Sequence, residues 1–481
     1  MKHISIRILA MLLLFAGIKG YSQDKSLYFL SNVPQAAAAN PAFVPEYTHY
    51  LSIPVFSGTA ISASSSTFSA IDFFAKEGSC YRFSNDNISN LLANLNTKNF
   101  ARAETSISLI DLGFKHKKIY WSFGFSAKTF NNAYIPKSAN RLRFGLLDPY
   151  SSLPSCISLT DIEANSVSYY ETSVGAAYLA SDNLKIGGRF KLLSGIAAIN
   201  TKRMGVRLFP NEGLNTSTLS SSILINTSVN GVEYVLKDGK TIDKIRTNGS
   251  VITAPFAANL GMAIDLGLEV KSGNNLKIYA SLVDFGFISW GNNRYNISNN
   301  SSYILDNTPF IPGPSGAINA GDALQILADT LKGDFTAQRT SSRFGTSLFT
   351  KVYIGSTYQL NEWLQGGLLL KGAIFKQVID PSVTLSAIIS PSRNFSGSVS
   401  WSYCHSTFNN IGITLVAGNK PIQFMVSMDN IPVSFMSVKG TDVPIPRSSR
   451  SVGIQLGLNI FWGEKTFKLP WRWKSFDRPR G

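Results

Sequence analysis

The chain has 481 residues, of which 44% are hydrophobic, 12% aromatic and only 15% charged, against roughly 25% charged in an ordinary soluble domain. No run after residue 22 supplies the ~18 consecutive apolar residues of a spanning helix, so a helical membrane protein is excluded. The net charge of +16 is dispersed, with no concentrated basic face; this argues against a nucleic-acid partner and for attraction to anionic outer-membrane lipid and lipopolysaccharide.

Lys2, His3 and Arg7 precede an apolar run from Ile8 to Ile18, with small residues at Gly20 and Ser22. This pattern predicts a signal peptide over 1–22, cleaved before Gln23. No cysteine adjoins that point, so no lipid anchor is indicated. Removing Lys2, Arg7 and Lys19 leaves +13 on the exported chain.

Residues 23–49 precede the first strand. Pro34, Pro41 and Pro45 forbid regular structure there. The segment reads as an N-terminal plug over 24–47 in the periplasmic half of a lumen, with Asn40, Pro41 and Ala42 against the wall.

From residue 50 the sequence alternates between apolar and small or polar positions. Trp121, Phe123 and Phe125 interleave with Ser122, Gly124 and Ser126; Leu266 and Leu268 with Asp265, Gly267 and Glu269; Leu456 and Leu458 with Gln455, Gly457 and Asn459. A period of two places these sets on opposite faces of a strand. Strands are expected near 50–57, 103–114, 119–129, 166–180, 184–198, 256–270, 276–290, 343–360, 364–375, 382–390, 395–405, 410–418, 421–429 and 450–462. Alternate connections are tight polar turns, such as 116–118 and 181–183. The others are mostly long, as at 58–102, 130–165, 199–255, 291–342 and 430–449. A soluble sandwich has no reason to sort its loops by parity, whereas a transmembrane barrel has short periplasmic turns and long outer loops. The fold expected is therefore all-β: a transmembrane antiparallel β-barrel of about 14 strands over 50–463.

In the first long loop, Ile88, Leu91, Leu92 and Leu95 have helical spacing. The loop at 291–342 reads simply as long and polar. Cys80, Cys156 and Cys404 have no metal-ligand spacing; one disulfide between Cys80 and Cys156 is compatible with two outer loops, though spacing alone cannot establish it. Residues 464–481 form a tail with six basic residues beside Phe467, Trp471, Trp473 and Phe476. It reads either as a periplasmic interface or partner anchor, or as a frayed end.

With the apolar face toward lipid, Glu171, Arg189, Lys191, Asp265, Glu269, Lys351 and Lys371 point into the lumen. Lipid-facing Arg or Lys at mid-depth would cost ~2–4 kcal/mol. Ion pairing or bonding to the plug is the simplest role for these charges, a substrate contact the alternative. No hydrolase, phosphate-binding or dinucleotide motif accompanies them, and no cofactor or metal is implied. His405-Ser406 is the one pair inviting an enzymatic reading. On a strand the two would face opposite ways, leaving the imidazole unable to activate the hydroxyl.

Asn40-Pro41-Ala42 before the first strand resembles the N-terminal hatch of the FadL-type long-chain fatty-acid transporters. The run Gly187 to Gly195, Asp265-Leu266-Gly267, Asp284-Phe285-Gly286 with Trp290, Asp429-Asn430-Ile431 and Gly457-Leu458-Asn459 resemble a family of unknown function among outer-membrane barrels of Bacteroidota. The resemblance implies a plugged barrel passing a small hydrophobic or amphipathic ligand. The alternative it implies is a non-transporting barrel that anchors or hands over a secretion or surface-protein partner.

Overall fold

The computed structural model describes residues 25–466, apart from 148–154, 212–214, 248–258, 313–316, 440–443 and the single positions 341, 377, 406 and 433. The leader expected at 1–22 and the tail from Phe467 onward lie outside the described residues.

Fourteen strands close into one antiparallel barrel. They are β1 (Tyr47–Ser52, resuming as Thr59–Ser65), β2 (Lys98–His116), β3 (Ile119–Pro136), β4 (Glu163–Ser181), β5 (Leu184–Pro210), β6 (Leu260–Ser272) and β7 (Leu276–Trp290). There follow β8 (Phe344–Ser347 and Thr350–Gln359), β9 (Leu364–Phe375), β10 (Val378–Ser392), β11 (Phe395–Cys404), β12 (Thr407–Asn419), β13 (Ile422–Asp429) and β14 (Ser451–Lys465). Each pairs with its neighbours in sequence, and β14 returns to β1 with Leu51 opposite Ile460 and Ala60 opposite Gln455. Closure leaves no strand edge to face hydrocarbon, where an unpaired peptide group would cost several kcal/mol.

The alternation sorts the two faces. Phe190, Leu192, Met262, Leu266, Phe285, Leu370, Leu385 and Leu415 are exposed, and the residues between them turn inward. Phe123, Leu266 and Leu456 are exposed and Trp121, Leu268 and Leu458 half-exposed, while Gly267 is buried and Gly124 lines the interior. A belt of large apolar side chains on this scale is stable only against lipid.

Three stretches depart from expectation. The first strand is not continuous over 50–57, because Pro54 lacks a donor and Val55 adopts φ 67°. The ladder resumes only at Thr59, with Ser57 and Gly58 donating to Ile53 and Leu456 across the gap. The connection at 199–255 is not all loop. β5 runs on to Pro210, well past the barrel wall, and pairs there with strand Thr216–Val229. The connection at 291–342 is not simply a polar loop either. It carries strands Arg294–Asn299, Ser302–Asp306 and Thr336–Arg339 and a helix, Ala320–Leu331.

That helix packs against Asp86–Ala93, the helix expected from Ile88, Leu91 and Leu92. We call them α1 (Asp86–Ala93) and α2 (Ala320–Leu331). Together with Leu142, Ile157, Leu208, Leu219 and Phe310 they form one apolar core outside the barrel, over the long-loop rim. Cys80, Cys156 and Cys404 are all free, so the Cys80–Cys156 disulfide is corrected. Cys80 sits on the hairpin Phe74–Phe83, which bridges to Val438, while Cys156 lies beside the strand paired to β5.

Candidate functional site: the occupied lumen

Residues 25–46 run inside the barrel. At the short-turn rim the Tyr47 hydroxyl donates to Asn419 Oδ1 (2.6 Å). Further in, Pro34–Ala38 forms a single 3-10 turn, as a proline at its first position allows. The Gln35 amide donates to Ser57 Oγ (2.6 Å) and Asn459 Oδ1 (2.7 Å) and accepts from Asn459 Nδ2 (2.9 Å). Tyr28 stacks on Tyr353 at 5.3 Å and meets Tyr279 and Phe43 edge-on. The backbone N–H groups of Lys25 and Ser26 donate to the Asp429 carboxylate at 2.9 and 3.0 Å. The Lys25 ammonium lies 3.0 Å from Cys404 Sγ, at the end of β11. The segment thus extends beyond the half of the lumen expected for it and reaches the long-loop rim. Serines and threonines of β11–β13, among them Ser398, Thr414 and Ser427, satisfy its polar groups there.

Asn40 is fully buried; its Nδ2 donates to the Leu268 carbonyl (3.2 Å) and its Oδ1 accepts from Ala42 N (3.0 Å). This Asx turn lies against the inner wall where Gly187 of β5 is directly opposite Gly267 of β6. A β-carbon on Gly187 would run into the Pro41 carbonyl and Ala42 nitrogen, and one on Gly267 into Asn40 Oδ1. Arg189 Nη2 donates to the Ala37 carbonyl (3.0 Å) and Ser281 Oγ to that of Ala39 (2.7 Å).

All seven charges anticipated for the lumen are buried or nearly so, on its inner face. Lys191 bridges Asp265 (2.8 Å) and Asp284 (2.5 Å), with Glu171 at 3.9 Å. Arg189 pairs with Asp265 (3.3 Å). Glu269 pairs with Lys185 (3.0 Å) and Lys351 with Glu104 (2.7 Å). Lys371 lies over the Tyr353 ring at 5.3 Å.

Sequence reasoning missed Lys128, which reaches Glu171 at 2.7 Å, and Asp284, Glu104 and Asp111. Asp284 escaped because parity fails at a bulge: Ile264 pairs with Phe285 but Leu266 with Leu282. Asp284 takes φ 58° there, so Val283 and Asp284 both contact the interior.

Between the Pro34–Ala38 turn and the wall lies a cavity of about 210 Å³. Glu104, Lys128, Glu171, Lys191 and Lys351 line it together with Phe130, Val167, Val283, Leu348 and Phe349, and the Lys351 ammonium lies 5.3 Å over the Phe349 ring. The lining is amphipathic.

A second polar cluster lies near the long-loop rim. Asp380 accepts from Arg102 Nη1 (3.3 Å) and lies 3.1 Å from His405 Nε2, while the Arg102 guanidinium stacks 3.9 Å over Phe100. His405 is not on a strand, as expected from sequence, but in the turn after β11 with φ 53°. The face-alternation argument applied to His405-Ser406 therefore does not hold, and Ser406 lies outside the described residues.

Several solved structures align along most of this chain at low identity. The Ralstonia pickettii toluene transporter TbuX aligns with 10% identity and TM-score 0.40, covering 89% of this chain and 94% of its own. A Pseudomonas aeruginosa FadL homologue aligns with 10% identity and TM-score 0.39, covering 92% and 98%. The Pseudomonas putida toluene transporter TodX aligns with 10% identity and TM-score 0.35, covering 93% and 96%. No curated protein matches the sequence. Residues 41–429 match one family model, which takes in every barrel strand except β14, and the chain belongs to that family, described as Family of unknown function (DUF5723).

Proposed function

We propose that the protein is an outer-membrane barrel through which small amphipathic molecules diffuse passively, past an N-terminal plug that must shift to let them by. The observation that carries this reading is the cavity of about 210 Å³ between Pro34–Ala38 and the wall. Its ion-paired groups favour a polar group on the solute, and the aromatic rings set among them favour an apolar body. A pure hydrocarbon would displace solvent from the buried charges without replacing its hydrogen bonds. The apolar belt supports placement in a bilayer, and the sorting of loops by rim supports an outer membrane with the long loops outward.

The test is liposome swelling with the purified protein, comparing phenol-sized amphipathic solutes with sugars of similar mass. Faster passage of the amphipathic solutes is expected, with a further rise for all solutes when residues 25–45 are deleted. Equal rates in protein-containing and empty liposomes, with or without the deletion, would overturn the reading. A second reading, a barrel serving as a surface platform for a protein partner, draws on the apolar core that α1 and α2 build over the outer rim. It predicts no permeation and binding that depends on those loops.

A further inference from the structure

Lys25 stands at the far end of the inserted segment, at the long-loop rim, and is almost wholly buried. Its backbone N–H and that of Ser26 both donate to the Asp429 carboxylate. The Ser26 hydroxyl is held further by Ser427 and Thr414, so the backbone here is fixed to β12 and β13. From that anchorage the Lys25 side chain reaches Cys404 Sγ, the last residue of β11, at 3.0 Å.

Among the described residues the Lys25 ammonium has no carboxylate in ion-pair contact. Asp429 is taken up by backbone N–H groups, and Asp380 by Arg102 and His405. A buried charge needs a counter-charge. The group in reach that can supply one is the Cys404 thiol, since an adjoining ammonium favours the thiolate, the nucleophilic form of cysteine.

The neighbouring cluster has polar capacity to spare. His405 follows Cys404 directly, in the turn after β11. Its Nδ1 and the Nη2 of Arg102 are both buried and meet no hydrogen-bond partner among the described residues. Buried polar atoms of this kind call for a water-sized polar molecule. Hydrogen peroxide is such a molecule.

We infer that Lys25 and Cys404 form a cross-linking site, at which hydrogen peroxide joins the inserted segment covalently to the barrel wall. The thiolate sulfur attacks one peroxide oxygen; the S–O bond forms, the O–O bond breaks, and the departing hydroxide takes a proton from the Lys25 ammonium to become water. The neutral lysine nitrogen then attacks the sulfenic sulfur, as nitrogen nucleophiles do. The S–N bond forms, the S–O bond breaks and a second water leaves. Cys404 is oxidised, peroxide is reduced, and the product is a sulfenamide. The 3.0 Å contact already sets nitrogen against sulfur, so the second step needs no rearrangement. With cleavage before Gln23, as the leader pattern predicts, Lys25 is close to the start of the exported chain, and the link fastens a free end. Two equivalents of a thiol reverse it, returning the cysteine and the amine and leaving the reductant as its disulfide. The inference concerns how the segment is fastened and stands apart from what passes it.

The test treats the purified full-length protein in detergent with hydrogen peroxide in the presence of dimedone, which traps sulfenic acid. Free thiols are then alkylated without reductant, and the digest is read by mass spectrometry. Wild type should yield a joined pair of peptides, one holding Lys25 and the other Cys404, lighter by two hydrogens than their sum and separated by dithiothreitol. Cys404→Ser should remove the pair. Lys25→Arg keeps the positive charge but not the amine, and should leave Cys404 at the sulfenic acid, with about tenfold more dimedone adduct than in wild type. Cys80 and Cys156, which have no hydrogen bond to a lysine among the described residues, should give adducts without any link. Heat-modifiable migration on gels verifies that each variant is folded. Equal Cys404 adduct in wild type and Lys25→Arg would overturn the inference, as would lysine links on Cys80 or Cys156 to the same extent. A Cys404 that stays a free thiol while Cys80 and Cys156 are oxidised would overturn it too, because peroxide then does not reach the site.

Discussion

Gly187 and Gly267 face each other across the β5–β6 ladder, and Asn40 and Pro41 rest on the bare backbone the two provide. Neither glycine has a positive φ, so close approach rather than turn geometry demands the missing side chain. Gly187→Val or Gly267→Val should therefore displace the inserted segment. Overpacking of this kind costs about 1–3 kcal/mol, enough to populate a displaced segment about 5- to 150-fold more. Both variants should still assemble as heat-modifiable barrels, with residues 30–45 newly open to protease and solute flux raised. Unchanged protection of that segment would show that the glycines do not seat it.

Lys191 is held between Asp265 and Asp284 and is almost wholly buried. Lys191→Met leaves two carboxylates short of a cation, and breaking a buried pair in this way costs roughly 3–5 kcal/mol. Asp265 keeps Arg189 at 3.3 Å and Asp284 keeps the longer Lys128 contact at 4.0 Å, so the damage should concentrate on Asp284. The double variant K191M/D284N should recover much of the loss. Urea unfolding of the barrel in liposomes reads both, and a double variant no more stable than the single one would refute the pairing.

The fold was legible because a lipid-facing barrel writes one apolar residue in every two, and writes its topology in loop lengths. Leu266 and Gly267, or Leu456 and Gly457, report their faces without any tertiary knowledge. Parity stops working where the ladder slips. Pro54 and Val55 hid the break in β1, the bulge at Asp284 hid a lumen acid, and the turn at His405 removed that residue from the strand expected to carry it. The extension of β5 to Pro210 was also hidden, since Lys202 and Arg203 look like loop residues until their partners on the next strand are known. Asn40-Pro41-Ala42 could be singled out from sequence. Its depth could not, because the anchors at Asp429 and Cys404 are almost four hundred residues away.

Asp238 caps the turn of the exposed hairpin Val232–Thr247, accepting from the Lys240 and Thr241 backbone N–H groups and from the Thr241 hydroxyl. The Thr241 hydrogen bonds, backbone first, hold its carboxyl down to about 2. A depressed carboxyl stabilises the turn above the ordinary carboxylate range and loses that contribution as pH falls through its folded value. Amide exchange at Lys240 and Thr241, corrected for the intrinsic rate, should stay slow down to about pH 3 and accelerate toward pH 2. Asp238→Asn should make the corrected rate fast and flat with pH, and a wild-type transition near pH 4 would contradict the capping role.

Leu91 of α1 and Leu327 of α2 belong to the apolar core over the long-loop rim, and both are buried. The two helices come from loops more than two hundred residues apart and are joined by this packing, by the Asn85–Asp322 and Asn319–Asp86 hydrogen bonds, and by Ser89 Oγ, which donates to the Ile318 carbonyl and accepts from Ala320 N–H. A buried leucine replaced by alanine costs about 2–5 kcal/mol, so the L91A/L327A double variant should part the helices while the barrel, which meets this core only at the extension of β5 around Val206 and Leu208 and at partly buried rim side chains, stays intact. Protease added to whole cells should then cut within 85–95 and 318–332, and the detergent-extracted barrel should remain heat-modifiable. If the cap is a barrier in series with the inserted segment, uptake of small amphipathic solutes should also rise, and further still in combination with Gly267→Val. If loosening the cap alters no flux in either background but abolishes capture of a surface protein, the loops serve a partner and the transport reading fails.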